Sequence, residues 1–151
     1  MWLDRGINAD PIAAAPDHYL YAHETGFDDG STEPASAISA RIESSQIDMG
    51  EGDDFVFMSR MIPDITFRDS TASSPSATMT LQARNFPGGL YLQNQAKAVT
   101  RTSTIPIEQW TQQINLRLRG RAFSLKLEST DTGVGWRLGT PRVDLRMDGK
   151  R

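Results

Sequence analysis

Apolar and polar side chains alternate one for one through three successive segments near the C-terminus of this sequence. The apolar positions are Leu116 and Leu118, then Phe123, Leu125 and Leu127, and finally Val143, Leu145 and Met147. Successive side chains of a strand point to opposite faces of a sheet, so the period of two predicts strands over 114–119, 122–128 and 142–147. All these apolar residues except Met147 are predicted to be buried, and so is Trp136.

Shorter segments of the same kind recur upstream, separated by residues that favour turns. They cover residues 18–24, 38–42, 55–62, 65–68, 78–84 and 98–105. The segment 55–62 begins with apolar residues at consecutive positions, so that both faces of the strand are apolar at first, which predicts a central strand.

A single segment has a helical period. Ile107, Trp110 and Ile114 recur at the spacing of one helix face, and Pro106 suits the first turn of a helix. With eight or nine short strands and at most this one short helix, the chain is predicted to be all-β, an antiparallel β-sandwich or barrel.

A length of 151 residues fits one ordinary domain. Residues 1–36 are predicted to be a lead-in with the first strand, and residues 37–151 an antiparallel β domain. Zero cysteines exclude disulfides and thiolate metal sites and fit a protein made in a reducing cytosol. No apolar run approaches the roughly 20 residues that span a bilayer, so no membrane segment is expected.

The sequence contains no motif that predicts catalysis, a metal site or a bound cofactor. His18 and His23 are five residues apart, which places them on opposite faces of a strand. The acidic loops lack the spacing of a calcium cage, and the glycines of 133–139 lack the spacing and the following helix of a nucleotide loop. No catalytic, metal or cofactor-binding residue is therefore expected.

Charge is divided unevenly along the chain. Residues 1–75 hold 14 Asp+Glu against 4 Lys+Arg, a balance of −10, whereas residues 76–151 hold 5 against 12, a balance of +7. Such polarity brings subunits together head to tail or sets a basic face against a polyanion, unless the two halves neutralise each other within one fold.

The arginines of the C-terminal strands are the candidate functional residues. We predict a subunit interface or a DNA-channel surface formed by Arg117, Arg119, Arg121, Arg142 and Arg146. Guanidinium groups bind phosphates or pair with carboxylates of a neighbouring subunit. Phe123 and Trp136, on expected core faces, are the only aromatic residues expected nearby, so protein–protein pairing is favoured over nucleic-acid binding.

The same residues resemble a known family. Arg117-Leu-Arg-Gly-Arg121, Gly133-Val-Gly-Trp-Arg-Leu-Gly139 and the terminal segment from Thr140 resemble the C-terminal end of the tail nozzle (tail tubular protein B-like) proteins of short-tailed bacteriophages. Residues 19–30, 42–45 and 55–64 agree with it, so the resemblance covers nearly the whole chain. Proteins of that family are several times longer, which implies that this chain is a C-terminal fragment or a truncated relative, with residues 1–36 ending an upstream β architecture.

The resemblance implies a virion structural component, made in the bacterial host cytoplasm and lacking enzymatic activity. Six copies would form a ring or tube beneath an adaptor ring, contact fibres or spikes, and let DNA pass without sequence readout. The alternative is a lectin-like, carbohydrate-binding β-sandwich, suggested by the aromatic, glycine-rich segment 86–91 beside acidic turns. A hydrolase is a third reading that no motif supports.

Overall fold

All regular structure in the described part of the chain is β-structure, as the alternating patterns predict. The computed structural model describes residues 2–4, 10–86 and 101–149. The first seven strands in these ranges are β1 Trp2–Leu3, β2 Ile12–Ala14, β3 Leu20–Ala22, β4 Asp28–Asp29, β5 Ser36–Ala37, β6 Ala40–Glu43 and β7 Ile47–Asp48. The other eight are β8 Val56–Ile62, β9 Ile65–Thr66, β10 Ser76–Arg84, β11 Arg101–Glu108, β12 Ile114–Gly120, β13 Ala122–Ser129, β14 Arg137–Leu138 and β15 Arg142–Met147. The all-β prediction is confirmed, and the many strands of two to four residues raise the number above the eight or nine expected.

The first sheet contains the longest strands, in the order β11–β10–β13–β6, and β7 also pairs with β13. All of these pairs are antiparallel. Met79 lies opposite Leu127, and Leu81 lies opposite Leu125. Directly opposite residues share a face of the sheet, so the register collects the apolar side chains of both strands on one side.

The second sheet has the order β12–β8–β15, and all its pairs are antiparallel. The predicted central position of the 55–62 segment is therefore confirmed. Val56, Met58 and Met61 are buried, whereas Ser59 and Arg60 are both exposed. The alternation of β8 shifts by one residue at this point, where the register with both neighbours is also interrupted.

The core lies between the two sheets, which gives the molecule a sandwich-like architecture. Leu116 and Leu118 of the second sheet pack in one cluster with Phe123 and Leu127 of the first. These four residues are buried as predicted, while Leu125 and Val143 are partly buried at the border of the cluster. The three C-terminal strands are confirmed.

Leu145 and Trp136 are less buried than the sequence predicts. Leu145 is 40 % exposed, and it lies on β15, which forms an edge of the second sheet and pairs with β8 alone among the described strands. Alternation specifies which face a side chain occupies, but not how much of the opposite layer reaches it. Trp136 is only partly buried, and its indole N–H donates a hydrogen bond of 2.9 Å to Ser129 Oγ.

The predicted helical turn at 107–114 is wrong. Ile107 belongs to β11 and Ile114 to β12, and the residues between them form a turn in which Trp110 is 77 % exposed. The Thr111 N–H donates to the Glu108 carbonyl at 2.9 Å, and the Glu108 N–H donates to Thr111 Oγ1 at 3.0 Å. Pro106 sits in the edge strand β11, where its missing N–H costs little.

Residues 27 and 28, which precede β5, contact residues 133 and 135, which lie between β13 and β15. The Gly133 N–H donates to Asp28 Oδ1 at 2.7 Å. A Cβ at Gly135 would lie 2.5 Å from the Phe27 ring, so only glycine permits this approach without displacing the ring. These contacts connect residues on both sides of position 36, and the proposed division of the chain at that position stays a prediction.

Candidate functional site

The second sheet brings most of the predicted arginines onto one outer face. Arg119 of β12 and Arg146 of β15 both lie opposite Phe57 of β8, so the three side chains form a row across the sheet. Arg117 precedes Arg119 by two residues and lies on the same face of β12, and Arg142 lies opposite Ile62. Most of the predicted set is therefore assembled by strand register.

Arg119 is held in place by an aromatic ring and a carboxylate. Its guanidinium carbon lies 4.0 Å from the ring centroid of Phe55, the residue just before β8. Its Nε donates to the Asp148 carboxylate, and one terminal nitrogen donates to the Asp148 carbonyl at 3.2 Å. A cation over a ring is attracted by the negative ring face, so Arg119 is oriented as well as neutralised.

Arg121 lies at the end of this face, in the turn between β12 and β13. Its guanidinium carbon is 4.5 Å from the Phe55 centroid and 5.5 Å from that of Phe86, and one of its nitrogens donates to the Asn85 carbonyl at 3.3 Å. Phe55 is thus shared by two arginines. Gly120 permits the turn to pack closely here, since a Cβ at this position would lie 2.8 Å from the Arg84 carbonyl oxygen.

Arg146 repeats the same arrangement on β15, with its guanidinium carbon 4.6 Å from the Phe57 centroid. The expectation that only Phe123 and Trp136 would lie near the arginines is therefore wrong. Phe55 and Phe57 are two residues apart in extended backbone, so both rings point to the outer face. The consecutive apolar residues at 55–58 place apolar side chains on both faces of the strand, so an aromatic outer face was predictable from the sequence.

The sequence reasoning also missed Arg60. This residue lies at the irregularity of β8, opposite Asp144, and a terminal nitrogen of its guanidinium group pairs with Asp144 Oδ2 at 2.7 Å. Ser59 and Arg60 interrupt the alternation of β8, so the alternation does not indicate which face Arg60 occupies. Asp144 and Asp148 are thus each paired with an arginine inside the face, through Arg60 and Arg119.

Arg117 and Arg142 remain exposed on this face, and within the described ranges neither guanidinium group has a hydrogen bond, ion pair or ring contact. The arginine face, as we define it, contains six arginines and two aspartates: Arg60, Arg117, Arg119, Arg121, Arg142, Arg146, Asp144 and Asp148. Since both aspartates are engaged, the remaining field is positive. Guanidinium groups on such a surface are able to pair with phosphates or carboxylates.

A second candidate site is an open cleft of about 730 Å³ near the N-terminus. Its lining combines the edge of β3 with the turn that contains β4, including Tyr21, His23, Asp28, Asp29 and Ser31. Hydrogen bonds from the side chain and backbone of Ser31 lower the pKa of Asp29. His23 lines this cleft, whereas His18 lies in the exposed turn before β3 with a positive φ of 71°.

One residue of the cleft lining, Tyr21, is hydrogen-bonded to the exposed Asp17. The Tyr21 hydroxyl donates to Asp17 Oδ2 at 2.6 Å. This bond is the main cause of the lowered pKa of Asp17, and it raises the pKa of Tyr21. Both shifts favour the charged carboxylate and the neutral phenol, so the turn between β2 and β3 carries a fixed negative charge.

Among residues 2–4, 10–86 and 101–149, no three His, Cys, Asp or Glu side chains are placed to hold a metal ion together. In the same ranges, no helix is long and apolar enough to cross a bilayer. Residues 87–91, most of the predicted aromatic and glycine-rich segment, lie outside the described residues. No protein-family model matches the sequence, and no curated protein matches it.

Proposed function

We propose that this chain is a structural subunit of a short-tailed bacteriophage tail, forming part of the nozzle ring or tube through which the genome leaves the capsid. The arginine face is the observation on which this proposal rests, together with the sequence resemblance over nearly the whole chain. The proposed role is geometric and electrostatic, without catalysis or a cofactor. The protein would be made in the host cytoplasm and act in the virion, beside an adaptor ring and fibre or spike proteins.

The construction of the arginine face supports a binding role. Three of its guanidinium groups rest on phenylalanine rings, at centroid distances of 4.0 to 4.6 Å for Phe55 and Phe57. An arginine held by a ring loses less side-chain entropy when it binds than a freely moving one. Pairing both aspartates internally leaves Arg117 and Arg142 as the groups that a partner would meet first.

The partner that we favour is the acidic surface of another copy of the chain. Residues 1–75 carry the −10 balance that a basic face can neutralise, and the exposed acids of the N-terminal strands belong to that half. A homo-oligomeric ring, hexameric by resemblance, would place each basic face against its neighbour. Phosphates of passing DNA are the competing partner, bound without base readout.

Labelling of virions tests the proposed location. Gold-conjugated antibodies raised against the chain should decorate the tail of phage particles whose genome encodes this sequence. Decoration confined to the tail supports the proposal, and particles that lack the antigen throughout contradict it. Antibodies absorbed with the purified chain serve as the control for specificity.

The cleft beside β3 favours a second candidate function, carbohydrate binding. Tyr21 and the carboxylates of Asp28 and Asp29 line it, and sugars are bound by such combinations of an aromatic residue and hydrogen-bond acceptors. A glycan array separates the two candidates. Selective binding that is lost in Asp29→Asn, and retained in the control Asp69→Asn, supports the lectin-like reading, whereas the nozzle proposal expects no glycan signal.

A further inference from the structure

Strand β15 has a free edge. Among the described strands it pairs with β8 alone, and its other side has no strand neighbour. On the side that faces the core, Leu145 is 40 % and Met147 is 66 % exposed. Natural sheet edges are usually protected by proline, by inward-pointing charge or by a covering segment. Proline does not occur between Arg142 and Met147, and the charged residues of this strand all lie on the outer face.

Strand β3 has a free edge of the same kind. It belongs to the small sheet β1–β2–β3, in which β2 is central, so within the described ranges β3 pairs only with β2. Leu20 is 74 % exposed, and Tyr19, which precedes the strand, is 68 % exposed. Leu20 and Ala22 lie on one face of this strand because they are two residues apart. Among the described residues, both edges thus combine backbone that no further strand pairs with and exposed apolar side chains.

The two edges also differ in charge. Residues 6–40 contain six Asp or Glu and no Lys or Arg, and this segment includes β3. The surroundings of β15 are the arginine face, in which Asp144 and Asp148 are already paired with Arg60 and Arg119. The exposed Arg142 and Arg146 are on β15 itself. An edge strand within an acidic segment and an edge strand on the basic arginine face therefore occur on the same molecule, and they do not pair with each other.

We infer that the free edge of β15 binds β3 of a second copy of this chain by strand addition. Main-chain hydrogen bonds would extend the β12–β8–β15 sheet by one strand, and Leu20 would pack beside Leu145 and Met147. Three residues supply few hydrogen bonds, so the apolar contact and the charge pairing provide the rest. The inference rests on the proposed function, because it names the surfaces through which the copies would assemble.

The contact is heterologous, since it joins two different surfaces of the chain. A heterologous contact repeats from copy to copy and closes into a ring when the rotation between copies permits. Every copy in such a ring would offer its β15 edge to one neighbour and its β3 edge to the other. This predicts a specific behaviour in mixtures that a symmetric two-fold contact does not share.

Disulfide trapping tests the juxtaposition directly, because the chain has no cysteine of its own. Leu20→Cys and Met147→Cys are placed in separate copies, which are mixed and oxidised mildly. The mixture should form the crosslinked dimer at least about tenfold faster than a mixture of Leu20→Cys with the control Trp110→Cys, because the bound strands raise the local thiol concentration. Equal rates in the two mixtures would overturn the inference.

Complementation between damaged edges provides the second test, measured by sedimentation velocity. Leu20→Lys damages one edge, and Met147→Asp damages the other; both side chains are exposed, and circular dichroism checks that the variants fold. Each variant alone should be monomeric, whereas the equimolar mixture should associate, because one intact pair of edges remains and the two substituted edges carry opposite charges. Trp110→Lys should associate like the wild type.

Two results contradict the strand addition. One is a wild-type chain that stays monomeric at every concentration tested, and the other is a mixture of the two edge variants that fails to dimerise. Neither result decides the proposed function, which is judged by gold labelling of the virion. Tail labelling with a monomeric chain would retain the virion role and reject this interface.

Discussion

The guanidinium of Arg146 lies 4.6 Å from the ring centroid of Phe57, although the two residues are far apart in the sequence. Antiparallel register places them directly opposite each other on the outer face of the second sheet. A phenylalanine on a solvent-facing surface is thereby covered by a cation, which retains its ability to bind anions. The guanidinium groups of Arg119 and Arg121 lie over the ring of Phe55 in the same way.

A double-mutant cycle on Arg146→Ala and Phe57→Leu measures this contact. We expect a coupling free energy of about 0.5–1 kcal/mol in urea unfolding, the range for a cation–π pair at an exposed site. The Arg142→Ala and Phe57→Leu cycle is the control, since Arg142 lies opposite Ile62 rather than Phe57. Equal coupling in both cycles would show that the ring contact contributes nothing of its own.

Truncation of the core should separate buried from exposed leucines. Leu127 is completely buried, so Leu127→Ala should lower the free energy of unfolding by about 2–5 kcal/mol. Leu145→Ala should cost less than about 1 kcal/mol, because much of that side chain already contacts water. Urea unfolding checks both values, because at a constant m-value the change in the midpoint gives the change in the free energy of unfolding. Similar losses for the two variants would contradict the assigned edge position of Leu145.

Two glycines with the same backbone conformation differ in their surroundings. Gly133 has a φ of +72° and an added Cβ would lie 2.9 Å from the Ala72 backbone nitrogen, whereas Gly50 has a φ of +68° and open space. Gly50→Ala should therefore cost only backbone strain, about 1 kcal/mol. Gly133→Ala should cost clearly more and loosen the attachment of Asp28. Thermal melts that rank the two variants in the opposite order would refute this account.

The hydrogen bond between Tyr21 and Asp17 has a predicted dependence on pH. The bond lowers the pKa of Asp17 in the folded chain, so its contribution is present above the unfolded pKa and is lost as the pH falls through the lower, folded value. Tyr21→Phe should raise the Asp17 pKa toward its ordinary value. Carboxyl titration by NMR checks this, with Asp29 as the internal control. An unchanged Asp17 titration would exclude the Tyr21 hydroxyl as the cause.

The sequence predicted the parts of this fold that depend on local alternation. Strands β12, β13 and β15 follow from the period of two, and so do the buried positions of Leu118 and Leu127. The exposure of Leu145 was not predictable from the alternation, because it goes with the edge position of β15 in the second sheet, which only the pairing of distant strands determines. The spacing of Ile107, Trp110 and Ile114 matches a helical period, and this spacing alone led to the wrong prediction of a helix over 107–114. In the structure Pro106 and Ile107 pair with Thr78 and Ala77 as part of a strand.

The candidate site was predictable in its arginines but not in its aromatic residues. Arg117 and Arg119 share a face by simple alternation, and this needs no knowledge of neighbouring strands. Phe55 and Phe57 lie at the start of β8, 64 residues before Arg119 and 89 residues before Arg146 respectively, so their contacts with these arginines depend on sheet order. Local sequence specifies which way a side chain points, whereas long-range pairing specifies what it meets.

The central claim is that the arginine face binds an acidic surface of another copy, and salt-dependent sedimentation velocity tests it most directly. Raising the salt concentration from about 0.01 M to about 1 M shortens the Debye length from roughly 30 Å to 3 Å, so association should weaken steadily. The Arg117→Glu/Arg142→Glu variant should stay folded and associate poorly even at low salt, while the control Arg41→Glu/Arg68→Glu should associate like the wild type. Association that does not respond to salt or to the first variant would contradict the claim, and short duplex DNA that binds the wild type but not that variant would assign the arginines to the DNA channel.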